Sequence, residues 1–368
     1  MRPLRIGVDA RLLGAPHSSI TKLLRNMLKY WLTNTKDDFV VYVSDLYNWQ
    51  GEVHLDKFEV IQIKARTPLG FYWKLARRTF MDHLDVMLFT FDLAPFQTIP
   101  FTLLVHDLTF RKYEKSSLKN IVFSFLVKRS VKKAKAVVVP SNNTREDVVL
   151  QYHKEKGDVH TIYLDVDPAF AMLPHEAVQA SLPSLIGDNR EGFALHVGRI
   201  HPTYKNMTRL LKAFIKGKKD HRIREKLVIV SPDRPQRKDA KIIANNKRDV
   251  IILHKLTEQD LAVLYNACNY FVYPSLYEGF GMPVLEAMRC GAPVAVSRCS
   301  SIPEIAGDAG FYFDPYDAND ICKAMQELSG NENLRRELAR KSLERSKFFS
   351  WKIFSEKVLE ITKSVARR

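Results

Sequence analysis

Ser275-Leu-Tyr-Glu278-Gly-Phe-Gly281-Met-Pro283-Val-Leu-Glu286-Ala-Met-Arg-Cys-Gly291 follows the strand-like run Tyr270 to Tyr273 and reads as strand end, loop and short helix. Pro283 suits the first helical position, where a missing N–H costs nothing, and Gly291 suits the residue past a helix end. The spacing predicts a helix over 283–290, with Glu278 on the loop before it and Glu286 within its first turn. Glycines at 279 and 281 let backbone approach a ligand closely, and the N–H groups of a helix start favour an anion. The loop Gly279-Phe280-Gly281-Met282 is therefore a candidate phosphate cradle, and Glu286 could accept two hydrogen bonds from a vicinal diol such as a ribose. Two glutamates at this distance are ordinarily just solvated. What distinguishes this pair is its setting between strand, Gly-Phe-Gly loop, Pro-started helix and Gly stop.

Outward from this stretch, short β-rich runs alternate with helical patterns, which predicts doubly wound parallel sheets. In the second half the runs are Phe193–Val197, Leu227–Val230, Val250–Leu253, Tyr270–Tyr273, Val294–Val296 and Phe311–Phe313, with helices near 205–216, 258–267, 283–290 and 317–329. In the first half they are Ile6–Val8, Phe39–Val43, Val60–Ile63, Val86–Phe89, Thr102–Val105, Ala136–Val139 and Thr161–Leu164. Pro174, Pro183, Gly187, Asp188 and Asn189 interrupt the rhythm as a linker would. The reading is a domain over 1–170, a linker over 171–190, a second domain over 191–348 and a helix in 349–368 that folds back across both. A chain of 368 residues fits two such cores. Ligands bind beyond the carboxyl ends of parallel strands, so a cleft between two facing domains is the expected site.

A second basic element follows the first strand of the second domain: His196-Val-Gly198-Arg199-Ile-His-Pro202-Thr-Tyr-Lys205-Asn206. Arg199 offers a fork and Lys205 a point charge, and the two are expected to converge on one anion. Taken alone, such a pair is usually exposed charge.

Together these stretches resemble the E-x7-E signature and the GR…KN element of the retaining glycosyltransferases of family 4, mannosyltransferase-like enzymes also called group 1. The likeness continues through Leu256–Tyr265, Ser300–Gly310, Phe313-Asp-Pro315 and Phe349-Ser-Trp351. It implies the GT-B fold, two Rossmann-like domains facing across a cleft. It also implies transfer of a hexose-type sugar from a UDP- or GDP-sugar to a glycan or lipid-linked acceptor, in polysaccharide or glycolipid synthesis. By that resemblance Arg199 and Lys205 bind the diphosphate, Glu278 holds hydroxyls of the transferred sugar, Glu286 holds the ribose, and backbone at Leu256 meets the base. Protein cations would then stabilise the leaving group as a metal does elsewhere, so neither metal nor cofactor is expected beyond the nucleotide sugar as co-substrate.

In the first domain His106, after Thr102–Val105, is similar to the family's HD element, which makes it a candidate catalytic residue beside Glu278. The loop after Asp9 is glycine-rich in the family and touches sugar and acceptor; here Gly14 is kept, while Ser18, Ser19 and Thr21 stand where glycines are usual, as does Asp165 further on. These departures motivate a rival reading as a degenerate nucleotide-sugar-binding protein. Asp165-Val-Asp167 has the form of the DxD metal motif of another glycosyltransferase fold and is read as a decoy.

Lysine and arginine number 57 against 41 acids, an excess of +16 that favours a polyanionic partner. Nine of the cations fall between Arg111 and Lys135, among them Lys119, Lys128, Arg129, Lys132 and Lys133, against the single acid Glu114. Leu118, Ile121, Val122, Phe123, Phe125, Leu126, Val127 and Val131 share that segment, which predicts a basic helix with a broad apolar face on an anionic membrane surface. A nucleic-acid binder is the other basic reading, but no zinc-finger spacing or RNP-like motif accompanies it. A nicotinamide dehydrogenase is disfavoured because no G-x-G-x-x-G follows a strand. Cys268, Cys290, Cys299 and Cys322 have no metal-ligand spacing and read as reduced thiols. No apolar run approaches the length of a membrane span or signal peptide, so the expected location is cytoplasmic, peripheral on the inner face of the membrane.

Overall fold

The structure, a computed structural model, describes residues 2–15, 19–50, 58–65, 67–91, 93–113, 118–187, 191–200 and 203–367. Ser18, Glu114, Lys115, Asp188, Asn189, His201 and Pro202 lie outside these residues, and the side chains of Ser19 and Lys119 are likewise not described. The chain divides into two compact units: unit 1 is Met1–Leu164 with Phe349–Arg368, and unit 2 is Asp165–Phe348.

In chain order unit 1 contains β1 (Arg5–Asp9), α1 (Ser19–Asn34), β2 (Asp38–Ser44), β3 (Glu59–Ile63), α2 (Pro68–Met81), β4 (Val86–Phe89) and β5 (Phe101–Leu104). It continues with α3 (Thr109–Lys112), α4 (Leu118–Lys133), β6 (Ala136–Val139), α5 (Asn142–Tyr152) and β7 (Val159–Thr161). Its strands are all parallel, in the order β3-β2-β1-β4-β5-β6-β7 among the described residues. Most strand residues are buried, as expected for a sheet covered by helices on both faces. The last strand lies two residues earlier than the apolar run Thr161–Leu164 suggested. Its partner β6 ends at Val139, opposite Thr161, so the ladder has nothing further to pair with.

Unit 2 contains α6 (His175–Ile186), β8 (Phe193–Val197), α7 (Met207–Lys219), β9 (Lys226–Val230), α8 (Arg237–Ala244), β10 (Val250–Leu253), α9 (Glu258–Ala267) and β11 (Tyr270–Tyr273). There follow α10 (Met282–Arg289), β12 (Val294–Ser297), α11 (Ile302–Ala306), β13 (Gly310–Phe313), α12 (Ala318–Gly330) and α13 (Glu332–Ser346). Its sheet is again parallel, in the order β10-β9-β8-β11-β12-β13. In each sheet the strand order reverses beside the first strand, at β1/β4 and at β8/β11. This is where doubly wound sheets open a crevice for a ligand.

The segment expected to be a linker holds α6. Pro174 is its N-cap and Pro183 sits near its end, so neither proline interrupts the middle of the helix, and Val178 is buried. The final helix, α14 (Trp351–Ala366), does not stand as a separate element: it belongs to unit 1, packed on α1 and along β4, β5 and β6. Trp31 of α1 donates from Nε1 to the Ser355 carbonyl at 3.0 Å, and Lys363 pairs with Asp37 at 2.6 Å.

Candidate functional site

The helix read from 283–290 runs from Met282 to Arg289, with Pro283 at its second position and Gly281 as N-cap at φ 109°. That backbone conformation favours glycine, and a side chain at 281 would in addition press on Ile302 Cδ1 at 2.7 Å. Because the helix begins at Met282, Glu286 is its fifth residue and lies in the second turn, not the first. Glu286 is buried and its Oε2 accepts the Tyr265 hydroxyl at 3.0 Å. Burial, with Glu286 beside it, drives the Tyr265 phenol well above its ordinary pKa and keeps it a donor.

Glu278 is the centre of the unit 2 network. Its Oε1 accepts from Lys205 Nζ at 2.6 Å, Tyr273 Oη at 2.8 Å and Ser275 Oγ at 2.5 Å. Its backbone is held as well: the N–H donates to Ser300 Oγ at 3.1 Å, and the carbonyl accepts from Ser300 and Ser301 hydroxyls at 2.7 and 3.0 Å. Phe280, Gly279 and the start of α10 are thereby fixed, since Ser301 also donates to the Phe280 carbonyl at 2.8 Å. Lysine carries three donors, and two are directed at Glu278 and the Tyr273 hydroxyl, the latter at 3.2 Å.

Lys205 owes its position to its neighbour. Asn206 adopts the left-handed conformation at φ 62°, which asparagine tolerates better than most residues, and caps α7. Its buried side chain donates to the carbonyls of Pro274 at 3.0 Å and Pro315 at 2.7 Å, tying the lysine loop to the ends of β11 and β13. Arg199 is placed differently from the expected convergence: it is largely exposed and forks onto Asp233 at 3.1 and 3.2 Å. Each cation thus has its own carboxylate. Leu256 is half-buried, on the loop between β10 and α9.

Three participants were missed from the sequence. Tyr273 and Ser275 frame Glu278, and their only signal was adjacency to the motif. The third is His196, 1% exposed, stacked on Tyr273 at 5.8 Å and bonded through Nδ1 to the Val272 carbonyl at 3.0 Å. Nδ1 must carry the proton, so Nε2 is an acceptor, and it is buried with no partner among the described residues. Burial lowers its pKa to about 4, with Lys205 adding to the effect. It stays neutral at pH 7.

In unit 1, His106 lies after β5 and its Nε2 is 2.8 Å from the Thr90 carbonyl at the end of β4. Gly14 has φ 83°, and a side chain there would meet the Asn48 carbonyl at 2.3 Å, so local packing alone demands a glycine. Asp165 pairs with Arg289 at 2.9 Å and Asp167 caps the Ala169 N–H at 3.0 Å, so the two carboxylates serve the chain itself. Lys128, Arg129, Lys132 and Lys133 of α4 are exposed. The apolar face expected there is divided: Val127 and Val131 are buried in the core, whereas Leu118, Ile121, Val122 and Phe125 are 45 to 78% exposed. None of the described helices is long and apolar enough to cross a membrane.

Comparison with known proteins places this arrangement. Residues 183–345 match the family model of glycosyl transferases group 1. The O-antigen chain mannosyltransferase B of Escherichia coli is 36% identical over 165 residues, 44% of this chain and 43% of that protein. The O-antigen chain mannosyltransferase RfbU of Salmonella typhimurium is 29% identical over 230 residues, 62% of this chain and 60% of that one. The matched segments therefore span less than two thirds of these relatives. Over the whole length, the structure of sucrose-phosphate synthase from Thermosynechococcus elongatus superposes with a TM-score of 0.78 at 19% identity, covering 99% of both chains. The fold is GT-B, and residues 183–345 are similar to the group 1 glycosyl transferases.

Proposed function

We propose that this protein transfers a hexose from a nucleotide diphosphate sugar to a glycan or lipid-linked acceptor in polysaccharide or glycolipid synthesis. The names of its relatives favour a mannosyl donor. The observation that carries the reading is Glu278, whose carboxylate is anchored by Lys205, Tyr273 and Ser275 beside the amino end of α10. A carboxylate so fixed is preorganised to orient sugar hydroxyls, and Lys205 retains a third N–H for a phosphate oxygen. Arg199 adds a second cation once a diphosphate competes with Asp233 for it. Glu286 would take the ribose and the backbone at Leu256 the base; His106, after β5, is the unit 1 candidate for contacting a sugar.

Transfer proceeds with retention and with the leaving diphosphate neutralised by Arg199 and Lys205 in place of a metal. Proton NMR of the product formed from GDP-mannose or UDP-glucose, with and without EDTA, tests this. Retained configuration and undiminished rate in chelator are expected; an inverted product, or activity restored only by a divalent ion, overturns it.

The acceptor is presented at an anionic membrane surface. The exposed apolar residues of α4 and its exposed cations Lys128, Arg129, Lys132 and Lys133 support this, since each cation near anionic lipid contributes about 1 kcal/mol. Flotation with liposomes should show binding that rises with anionic lipid and falls with salt. No binding to strongly anionic vesicles at low salt rules it out.

A further inference from the structure

Unit 1 has a half-open cavity of about 220 Å³ beyond the carboxyl ends of β1, β2, β3 and β4, and none of the site residues read from the sequence lines it. The aromatic rings of Tyr47, Phe71, Tyr72 and Phe91 form much of its wall, with Arg11 among them. The Arg11 guanidinium lies 4.2 Å from the Tyr72 ring centroid and 5.4 Å from that of Phe91.

The charge of Arg11 is already answered. Its Nε donates to Asp9 Oδ1 at 3.1 Å, its Nη2 donates to Asp9 Oδ2, and Asp9 is fully buried. An anionic ligand would have to displace a buried carboxylate from its cation, which disfavours phosphate or carboxylate here. The wall hydroxyls are few, and two of them cap local turns: Ser44 Oγ accepts the Leu46 N–H at 3.1 Å and Thr67 Oγ1 accepts the Gly70 N–H at 3.1 Å. A ring of sugar hydroxyls entering this mostly apolar space would meet few polar groups and lose more contacts with water than it gains. Hydrocarbon gains by the same transfer. The cavity exceeds the roughly 150 Å³ at which a dry apolar cavity admits benzene. Its rim continues onto apolar surface: Leu46 is 71% exposed, and α2, which supplies Phe71 and Tyr72, carries Leu69 and Trp73 exposed by 49 and 55%.

We infer that this cavity holds the aliphatic segment of a lipid-linked acceptor, a neutral hydrocarbon chain adjoining the sugar it carries. The inference rests on the lipid-linked acceptor proposed above.

Calorimetric titration of the full chain with methyl, butyl, hexyl and octyl mannosides, all below micelle-forming concentration and without nucleotide, tests it. Affinity should rise about fourfold for each added methylene until the cavity is filled. Ala65→Phe, which fills the cavity from its wall, should flatten the series while nucleoside-diphosphate binding is unchanged. Should that variant fail to fold, Leu46→Ser at the exposed rim should lower the preference for octyl over methyl mannoside by about threefold. A methyl mannoside that binds as tightly as the octyl one overturns the assignment, as does a chain-length series unaltered in the variants. The two readings fail separately. Octyl mannoside bound in the cavity without sugar transfer would keep the cavity assignment and remove the transfer, whereas transfer with a flat chain-length series would do the reverse.

Discussion

At the carboxyl ends of β8 and β11 in unit 2, one carboxylate, Glu278, gathers an ammonium, a phenol and a hydroxyl, and its backbone is braced by two serines. At the carboxyl end of β1 in unit 1, another carboxylate, Asp9, pairs with Arg11 among the described residues, and aromatic rings surround the pair. Both acids sit where a doubly wound sheet presents ligands. The first is part of a polar surface with donors to spare. The second closes its charge on itself and leaves an apolar wall. On the proposed reading, the same strand-end position serves once to recognise charge and hydroxyls and once to disfavour them.

This contrast breaks most readily at Asp9. Asp9→Ala leaves a buried guanidinium without a counter-charge, and about 3 to 5 kcal/mol of stability should be lost in denaturant unfolding. The double variant Asp9→Ala/Arg11→Leu should recover much of that loss. A single variant as stable as the parent would show that the pair is not held as described.

Next in size is a pH effect confined to unit 2. His196 titrates near 4 in the folded chain against about 6.5 when unfolded, so below pH 6.5 the unfolded state takes up a proton that the folded state refuses. Its contribution is intact above pH 6.5 and is lost as pH falls towards 4, for a total of about 3 kcal/mol. Unfolding midpoints at pH 7 and 4.5 should therefore differ less in His196→Gln than in the parent. An unchanged difference would remove His196 from the account.

Smaller still is Asn206→Ala, which deletes two buried donors and the residue type that tolerates the left-handed conformation. A loss of about 1 to 3 kcal/mol is expected, with weaker nucleotide binding because Lys205 is no longer held. Stability lost with nucleotide affinity intact would mean that Asn206 serves the fold alone.

Much of unit 2 was legible because its signals are local: the glycines, Pro283 and Gly291 mark α10 to within one residue. The pairings that build the site were not. Lys205 and Glu278 lie 73 residues apart, and only the β8/β11 neighbourhood brings them together. Arg199 illustrates the same limit, since two cations on one loop suggested a shared anion, and nothing local announced that Asp233, 34 residues on, pairs with one of them. Periodicity revealed the apolar content of α4 but not its division between the core and the surface. Pro174 and Pro183 read as helix breakers, yet at a cap and near a helix end they break little. The unit 1 cavity left no motif at all, because its rings come from separate turns and from α2.

If Lys205, held in place by Glu278, contacts the donor's diphosphate as proposed, calorimetric titration of GDP and UDP into the wild-type chain and Lys205→Ala should reveal it. The better-bound nucleotide should lose about 2 to 5 kcal/mol of binding free energy in Lys205→Ala. Equal affinities in the two proteins would contradict it.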